Sequence, residues 1–468
     1  MEHGMSLLAS EIAEATGAKI KNLNSGEMRG LVFHDLTTDT RKISADSAPL
    51  FVALKGEKFN GEDFASDALE KGASAALVSE SFDAGSVSSP IFVVPDTLTA
   101  YQKIAQCWRK KFELPLIAIT GSNGKTTTKD LTSSVLDARF SGDVLKTEAN
   151  FNNEIGLPQT LLRLRSHHRA AVVEIGMRGL GQIRALAPIA APTIGIVTNV
   201  GETHMELLGS IENIARAKRE MVEAIESGGT VILNGDDARV SAMRSAANEN
   251  VRVITFGMEN DADVMGRIVS TEGERSEFDV SFGGGREERF ILPMAGRHNI
   301  YNALAALSAG FALGLTADEM RAGLLRSTVT GGRFEIQKIK GYSVINDAYN
   351  ASPASMMAAF ETLHDVARGR TIAVLGDMLE LGEISERAHR DVGAAAYNAG
   401  IDFLVTRGDM GEMIARGAMD AGMARDRVFM CASHEEAADV LHGILREGDT
   451  VLFKGSHGMK MDKIIDLI

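Results

Sequence analysis

The sequence predicts an α/β protein of three domains, and three observations carry that prediction. Short apolar runs alternate with helical stretches along most of the chain. The 468 residues exceed one core at about 100–200 residues per domain. A glycine-rich turn joins an apolar run directly to a helical stretch at LPLIAITGSNGKTTTKDL, residues 114–131. Hydrophobic content of 44% and charged content of 24% are those of a globular chain.

Taken in order, residues 1–97 carry the apolar runs LFVAL, AALVS and IFVVP and close at Pro95–Asp96, which reads as a first α/β domain. Residues 98–326 alternate LIAIT, a helix over 129–138, AAVVEIGM, TIGIVTNV, a helix over 210–226, TVILNG, VRVITFG and an alanine-rich helix over 298–313. Such alternation predicts a mostly parallel sheet with helices on both faces and ligands at the carboxyl ends of its strands. The polar, β-like segment 261–289 predicts an antiparallel extension of that sheet. Beyond Gly331–Gly332 the pattern restarts with YSVIND, TIAVLGDM, FLVTRGD, RVFMC and TVLFKGS, each followed by a helical segment. Residues 327–468 therefore read as a third, Rossmann-like α/β domain.

Charge and composition exclude several functions. A net charge of −14, with no basic run, argues against a nucleic-acid surface. No run of about 18 apolar residues is present, so no membrane-spanning helix is expected. The N-terminal MEHGMSLLASEIAEATGA contains acidic residues and no basic n-region, so it reads as a helix and not a signal peptide. Cys107 and Cys431 match no metal or redox spacing, and each reads as a small core hydrophobe of a reduced, cytoplasmic protein.

The chemistry begins at the glycine turn. Gly121, Ser122, Asn123, Gly124, Lys125, Thr126 and Thr127 lie between a strand and a helix, where backbone N–H groups, a helix N-terminus and a lysine can cradle phosphates. The Thr126 hydroxyl is placed to ligate Mg²⁺. Such a loop takes ATP or GTP, although the usual G-x-x-x-x-G-K-[ST] spacing would need glycine where Ile119 stands. Glu174 closes a strand, where a carboxylate can ligate the metal of a nucleotide. His204 follows another strand and could reach a metal or a phosphate. Lys218, in IENIARAKREMVEAI, reads from composition alone as part of a solvated helix face. Asn299 and Asn302 stand near a helix start, where asparagine by default caps or is exposed.

The loop T-G-S-N-G-K-T resembles the ATP loop of the Mur ligases and folylpolyglutamate synthetases, which join amino acids or peptides to a carboxylate through an acyl phosphate. Four further segments resemble the Mur ligases, across all three domains: TTDTRKISADSAPLFVALKGEKFNGEDF, EANFNNEIGLP, INDAYNASP, and LGDMLELG with LFKGSHGMKMD. The resemblance implies that Lys218, within Ala217-Lys218-Arg219-Glu220, carries a carbamate and bridges a second Mg²⁺ with His204. It implies that Asn299 and Asn302 contact adenine, that Arg333 reaches phosphate and that Asp347 reaches the ribose. By the same resemblance Asp39, Thr40, Arg41, Lys55 and Gly56 form a UDP-sugar site. Asn150, Asn152 and Asn153 lie near the reacting carboxylate, and Tyr349, Asn350, Lys454 and Ser456 line the site of the incoming peptide. Two positions depart from the family pattern: Ser352 replaces the second Asn of N-A-N-P, and His457 replaces the Arg after KGS.

Among the Mur ligases, the details match the member that adds D-alanyl-D-alanine to UDP-N-acetylmuramoyl-tripeptide. The D-N-P-R signature of the diaminopimelate- or lysine-adding member is missing after LGDM, where Leu379-Glu380-Leu381-Gly382 stands instead. The implied enzyme is a cytoplasmic monomer using ATP and two Mg²⁺ ions. Closure about a hinge over 326–332 would exclude the water that hydrolyses acyl phosphates. The alternatives are another ligase of the same superfamily, or a P-loop regulatory binding protein without peptide synthesis.

Overall fold

The computed structural model describes residues 4–44, 47–56, 59–85, 87–328 and 331–468. The chain forms two compact units, one of residues 1–118, 143–175 and 184–192, the other of residues 119–142, 176–183 and 193–468. The hinge expected over 326–332 includes Val329 and Thr330, which lie outside the described residues.

In the first unit the apolar runs LFVAL, AALVS and IFVVP become strands Leu50–Val52, Ala75–Ser79 and Ile91–Val94. These pair in parallel, joined by Leu36–Thr37 on one edge and antiparallel by Lys19–Lys21 on the other. Phe51, Ala76 and Val78 are buried against Ala65 and Ala68 of the helix Ala65–Glu70. Asp96 caps the helix Thr97–Arg109, accepting from the Thr99 N–H at 2.7 Å. That places a helix start at the expected Pro95–Asp96 boundary. Farther along the same unit, Ala170–Glu174 runs parallel to Val144–Lys146.

In the second unit Ile194–Val197, Thr230–Asn234, Arg252–Gly257 and Val264–Glu272 pair in parallel. Arg275–Phe282 and Glu288–Leu292 continue the sheet antiparallel, as the polar segment predicted. The helix predicted over 129–138 runs Lys125–Phe140, because Gly124 in a left-handed conformation starts it directly at the loop.

The carboxyl-terminal sheet has the order Glu335–Ile339, Tyr342–Asp347, Thr450–Lys454, Thr371–Gly376, Phe403–Arg407, Val428–Cys431, parallel except for its first pair. Alternate residues of its strands face opposite layers. Ile345, Ala373 and Leu375 pack on the helices Pro353–Val366, Ser385–Asn398 and Gly411–Ala421, while Val344, Ile372 and Val374 pack on His434–Ile444 and Asp462–Ile465. Cys431 is buried here, and burial pushes its thiol up to about 11. Cys107 differs from the core hydrophobe expected, because it is only half-buried, on the helix Thr97–Arg109.

Two helices of this layer touch backbone to backbone. A Cβ on Gly393 would fall 1.9 Å from the Ile414 carbonyl oxygen, and one on Gly417 would fall 2.0 Å from that of Arg390. Gly393→Ala would gain about 1 kcal/mol in helix propensity, but its methyl forces the helices apart at a cost of about 1–3 kcal/mol. A net loss in the denaturant midpoint is expected. A raised midpoint would mean that the helices separate without penalty.

Candidate functional site

The strand Leu116–Thr120, wholly buried, delivers the chain to the glycine loop. Thr198 donates its N–H to the Thr120 carbonyl at 3.0 Å, continuing the pairing past the strand ends. Gly121 and Gly124 have φ of +152° and +80°. A Cβ at Gly121 would lie 1.8 Å from Thr198 Oγ1 and one at Gly124 2.3 Å from Asn302 Oδ1, so glycine is required by space as well as by conformation. Lys125 folds back over the loop, donating to the carbonyls of Gly121 at 2.8 Å and Ser122 at 3.2 Å. Thr126 and Thr127 are buried in the first helical turn.

The loop after Ile194–Val197 is bonded to this turn residue by residue. Ser122 Oγ exchanges bonds with Gly201, donating to its carbonyl at 2.9 Å and accepting its N–H at 2.8 Å. Asn123 donates its N–H to Asn199 Oδ1 at 2.8 Å, and its carbonyl accepts from Thr198 Oγ1 at 2.7 Å. Asn199 and Asp237 were not singled out from the sequence. Asp237 accepts the Val200 N–H at 2.7 Å and caps the helix Ala238–Ala242. Both sit in N-x and D-D turns just past strand ends, and that position was the available signal.

Three candidate residues converge. Lys218, in the helix Ile211–Glu223, is 1% exposed, which overturns the composition-based reading of a solvated face. Burial holds its amine well below the usual lysine range; the neighbouring Lys125 adds to the shift and Asp237 opposes it. His204 is held below its ordinary value first by burial, with Lys125 and Lys218 adding to this and Glu380 opposing it. Electrostatic coupling among Lys125, His204 and Lys218 thus gathers the three on loops and helices next to the glycine turn. His204 has φ +59°, a left-handed conformation uncommon for a non-glycine residue.

The asparagines of the helix Arg297–Ala312 are buried rather than exposed. Asn302 accepts from Thr128 Oγ1 at 3.2 Å and donates to Asn299 Oδ1 at 3.3 Å, while Asn299 donates to the Ala295 carbonyl at 2.7 Å. Asn299 also lines a small cavity with Glu274, Pro293, Met294, Ala295, Phe334 and Ile336.

Several other candidates cluster in the carboxyl-terminal part of this unit. The Arg333 guanidinium lies 3.8 Å over the Tyr349 ring, whose other neighbour is the His457 ring at 5.5 Å. Asp347 accepts the Phe334 N–H at 3.2 Å and the Lys454 ammonium, which also reaches the Asn350 carbonyl at 3.1 Å. Ser456 Oγ accepts the Leu379 N–H at 2.8 Å. Ser352, the departure from the family pattern, caps the helix Pro353–Val366 and donates to Asn123 Oδ1 at 3.1 Å, so it ties this region to the glycine loop.

The remaining candidates belong to the first unit. Glu174, buried at its strand end, accepts from Asn152 Nδ2 at 2.7 Å, so two residues read separately in the sequence meet. Asn153 caps the turn into Gly156–Leu161, and the Asn150 carbonyl accepts the Asn152 N–H. Arg41 pairs with Asp39 through Nε at 2.9 Å and Nη2 at 2.8 Å, and this guanidinium holds the carboxyl down at about 2. Thr40 opens the turn between them. Lys55 forms an isolated bridge with Asn60, and Gly56 donates its N–H to the Phe59 carbonyl; Glu57 and Lys58 lie outside the described residues. Among the described residues no group of three or more His, Cys, Asp or Glu side chains is close enough to hold a metal, and no helix is long and apolar enough to cross a membrane.

Three family models match the chain: the Mur ligase family catalytic domain over residues 32–106, the Mur ligase middle domain over 119–310, and the Mur ligase glutamate ligase domain over 332–457. UDP-N-acetylmuramoyl-tripeptide–D-alanyl-D-alanine ligase of Bacillus subtilis is 39% identical over 443 residues, 93% of each chain. The enzyme of the same name from Escherichia coli is 33% identical over 96% of this chain and 97% of its own. Among solved structures, MurF from Acinetobacter baumannii superposes with a TM-score of 0.89 at 28% identity over 99% of both chains. MurF of Thermotoga maritima in complex with ADP does so with 0.82 at 26% identity, over 92% of this chain and 96% of that one.

Proposed function

The chain belongs to the Mur ligase family, and on that premise we propose that it joins D-alanyl-D-alanine to UDP-N-acetylmuramoyl-tripeptide at the expense of ATP. The products are UDP-N-acetylmuramoyl-pentapeptide, ADP and phosphate, within peptidoglycan precursor synthesis. The observation that supports this reading best is the convergence of Lys125, His204 and Lys218 beside a glycine loop built to receive phosphates.

The chemistry that the residues must serve is a meeting of like charges. An acceptor carboxylate oxygen attacks the γ-phosphorus of ATP, the bond to the β–γ bridging oxygen breaks, and ADP leaves. The amine of D-alanyl-D-alanine then forms the amide, expels phosphate and loses a proton. Lys125 and the amino-terminal end of the helix Lys125–Phe140 neutralise the phosphates. Asn299 is assigned to the adenine, with Asn302 bracing the glycine loop, Arg333 toward phosphate and Asp347 toward the ribose. Asp39, Thr40, Arg41, Lys55 and Gly56 are assigned to the UDP-sugar, Asn150, Asn152 and Asn153 to the reacting end of the tripeptide, and Tyr349, Asn350, Lys454 and Ser456 to the dipeptide.

The donor set fits Mg²⁺ on one condition. Of the residues assigned to the metal in the second unit, Thr126 and His204 supply neutral donors and Lys218 is an amine, so this set by itself lacks the anionic oxygen that a hard cation favours. Lys218, buried and with its amine held toward the neutral form, is suited to carry one as a carbamate. Glu174 is likewise assigned to Mg²⁺. Mg²⁺ bound there would offset charge on the transferring phosphoryl group.

The domains assigned are 1–97 for the UDP-sugar, 98–326 for ATP and 327–468 for D-alanyl-D-alanine, in a cytoplasmic monomer. The deciding assay is ADP release from Mg²⁺-ATP and UDP-N-acetylmuramoyl-tripeptide with and without D-alanyl-D-alanine. Release that requires both substrates, with the pentapeptide seen by mass, is expected. Activity only with UDP-dipeptide and diaminopimelate or lysine would move the chain to another branch of the family.

A further inference from the structure

We propose that Glu380 is a positioning residue for His204: its carboxylate accepts a hydrogen bond from Nδ1–H and so presents Nε2 as an acceptor. Glu380 Oε2 bonds His204 Nδ1, Glu380 Oε1 bonds Arg178 Nη2, and the Glu380 carbonyl accepts the Glu206 N–H at 3.1 Å. One residue of the carboxyl-terminal region therefore makes three bonds to the loops that follow Ala170–Glu174 and Ile194–Val197.

Backbone geometry indicates that this contact is built and not incidental. Glu380 has φ +62° and His204 +59°, so both partners hold a left-handed conformation that L-residues with long side chains seldom adopt. Two residues on, Gly382 has φ +56°, and a Cβ there would come 3.0 Å from Glu206 Cα. The loop carrying Glu380 is fixed from behind. Met378 donates its N–H to His389 Nε2 at 2.9 Å, Leu379 to Ser456 Oγ at 2.8 Å, and Ser456 to the Asp377 carbonyl at 3.0 Å. His389 is fully buried, and its Nδ1 donates to the Ser385 carbonyl at 2.7 Å, which leaves Nε2 to accept from Met378.

An ionised carboxylate accepts and cannot donate, so the hydrogen between Glu380 and His204 belongs to Nδ1. In the neutral ring Nε2 then carries a lone pair. It can take a metal ion or a proton, and it cannot donate to a phosphate oxygen. For the neutral ring, the choice left open by the sequence, metal or phosphate, falls toward an acceptor role.

The activity readout of the test rests on the ligase reading, but its spectroscopic readout does not. Protein labelled with ¹⁵N-histidine, with the His204 signals identified by their loss in H204Q, is expected to show His204 protonated at Nδ1. In E380A the population moves to the Nε2-protonated tautomer, and kcat falls about 10–100-fold with the KM for ATP unchanged. E380Q keeps an oxygen for the imidazole and should retain the tautomer. E380D, which suits the left-handed backbone but falls a methylene short, should behave like E380A and serves if E380A does not fold. The same tautomer in wild type and E380A or E380D, or a kcat that stays while only the melting temperature falls, would overturn the proposal. A wild type that releases no ADP would sink the ligase reading and leave the spectroscopic comparison intact.

Discussion

Lys125→Ala is expected to lower kcat/KM for the ligase reaction about 10³-fold while the protein stays folded. The amine is held over the glycine loop by the carbonyls of Gly121 at 2.8 Å and Ser122 at 3.2 Å, so its charge is already in place before substrate arrives. Preorganised charge of this kind acts on the phosphoryl group as negative charge builds up, and removing one such donor costs about 10²–10³ in rate, more where it meets a transferring phosphoryl group. The structural cost is smaller. Losing two bonds to backbone carbonyls is worth about 1–3 kcal/mol, at about 2–4 °C per kcal/mol in a large domain. Lys125→Arg should rescue little, because a planar fork does not match a point-charge position under a tight loop. Steady-state ADP release and thermal unfolding on the same preparations check both halves. A loss of activity below about tenfold would remove Lys125 from the role assigned.

What was legible in the sequence divides by range of interaction. The glycine loop could be read locally, because Gly121, Gly124 and Lys125 act through the backbone conformation of seven consecutive residues. The strands of the three mostly parallel sheets could be read because buried strands are continuous apolar runs. Glu335–Ile339 was missed for the same reason: it is an edge strand whose residues are mostly exposed, and EIQKI gives no apolar run. Lys218 was readable only as a charged helix residue, since its burial and its charged neighbours Lys125 and Asp237, which lie outside its helix, are set by the tertiary fold. Glu380 left no local signal at all. Its partner His204 lies 176 residues earlier, and nothing in LGDMLELG announces that its glutamate will meet an imidazole. Asn302 shows the reverse case, a residue flagged for a ligand whose visible work is to brace the glycine loop through Thr128.

Lys218→Met should reduce activity by about 10²–10³-fold and at the same time flatten the dependence of stability on pH. The sign follows from the direction of the shift. Folding holds the Lys218 amine well below its ordinary value of 10.5, so between the folded value and 10.5 the unfolded chain binds a proton that the native chain does not. Stability then rises with pH across that window by about 1.4 kcal/mol per pH unit for one such group. Methionine is unbranched and similar in volume, so it fills the same space without the charge, and this contribution to the slope disappears. A carbamate changes the prediction in a way that can be read. The carbamate forms from the ammonium and bicarbonate with release of a proton and is lost again on unfolding, so the wild-type slope remains, while CO₂ held by the native chain alone raises the wild-type midpoint. Urea midpoints from pH 7 to 10 in CO₂-free buffer should therefore diverge between wild type and K218M, and bicarbonate should raise the wild-type midpoints while leaving those of K218M in place. Parallel profiles in CO₂-free buffer would show that Lys218 is not held as a depressed amine. Wild-type midpoints that bicarbonate does not raise relative to K218M would leave the amine buried and neutral but deny it the carbamate.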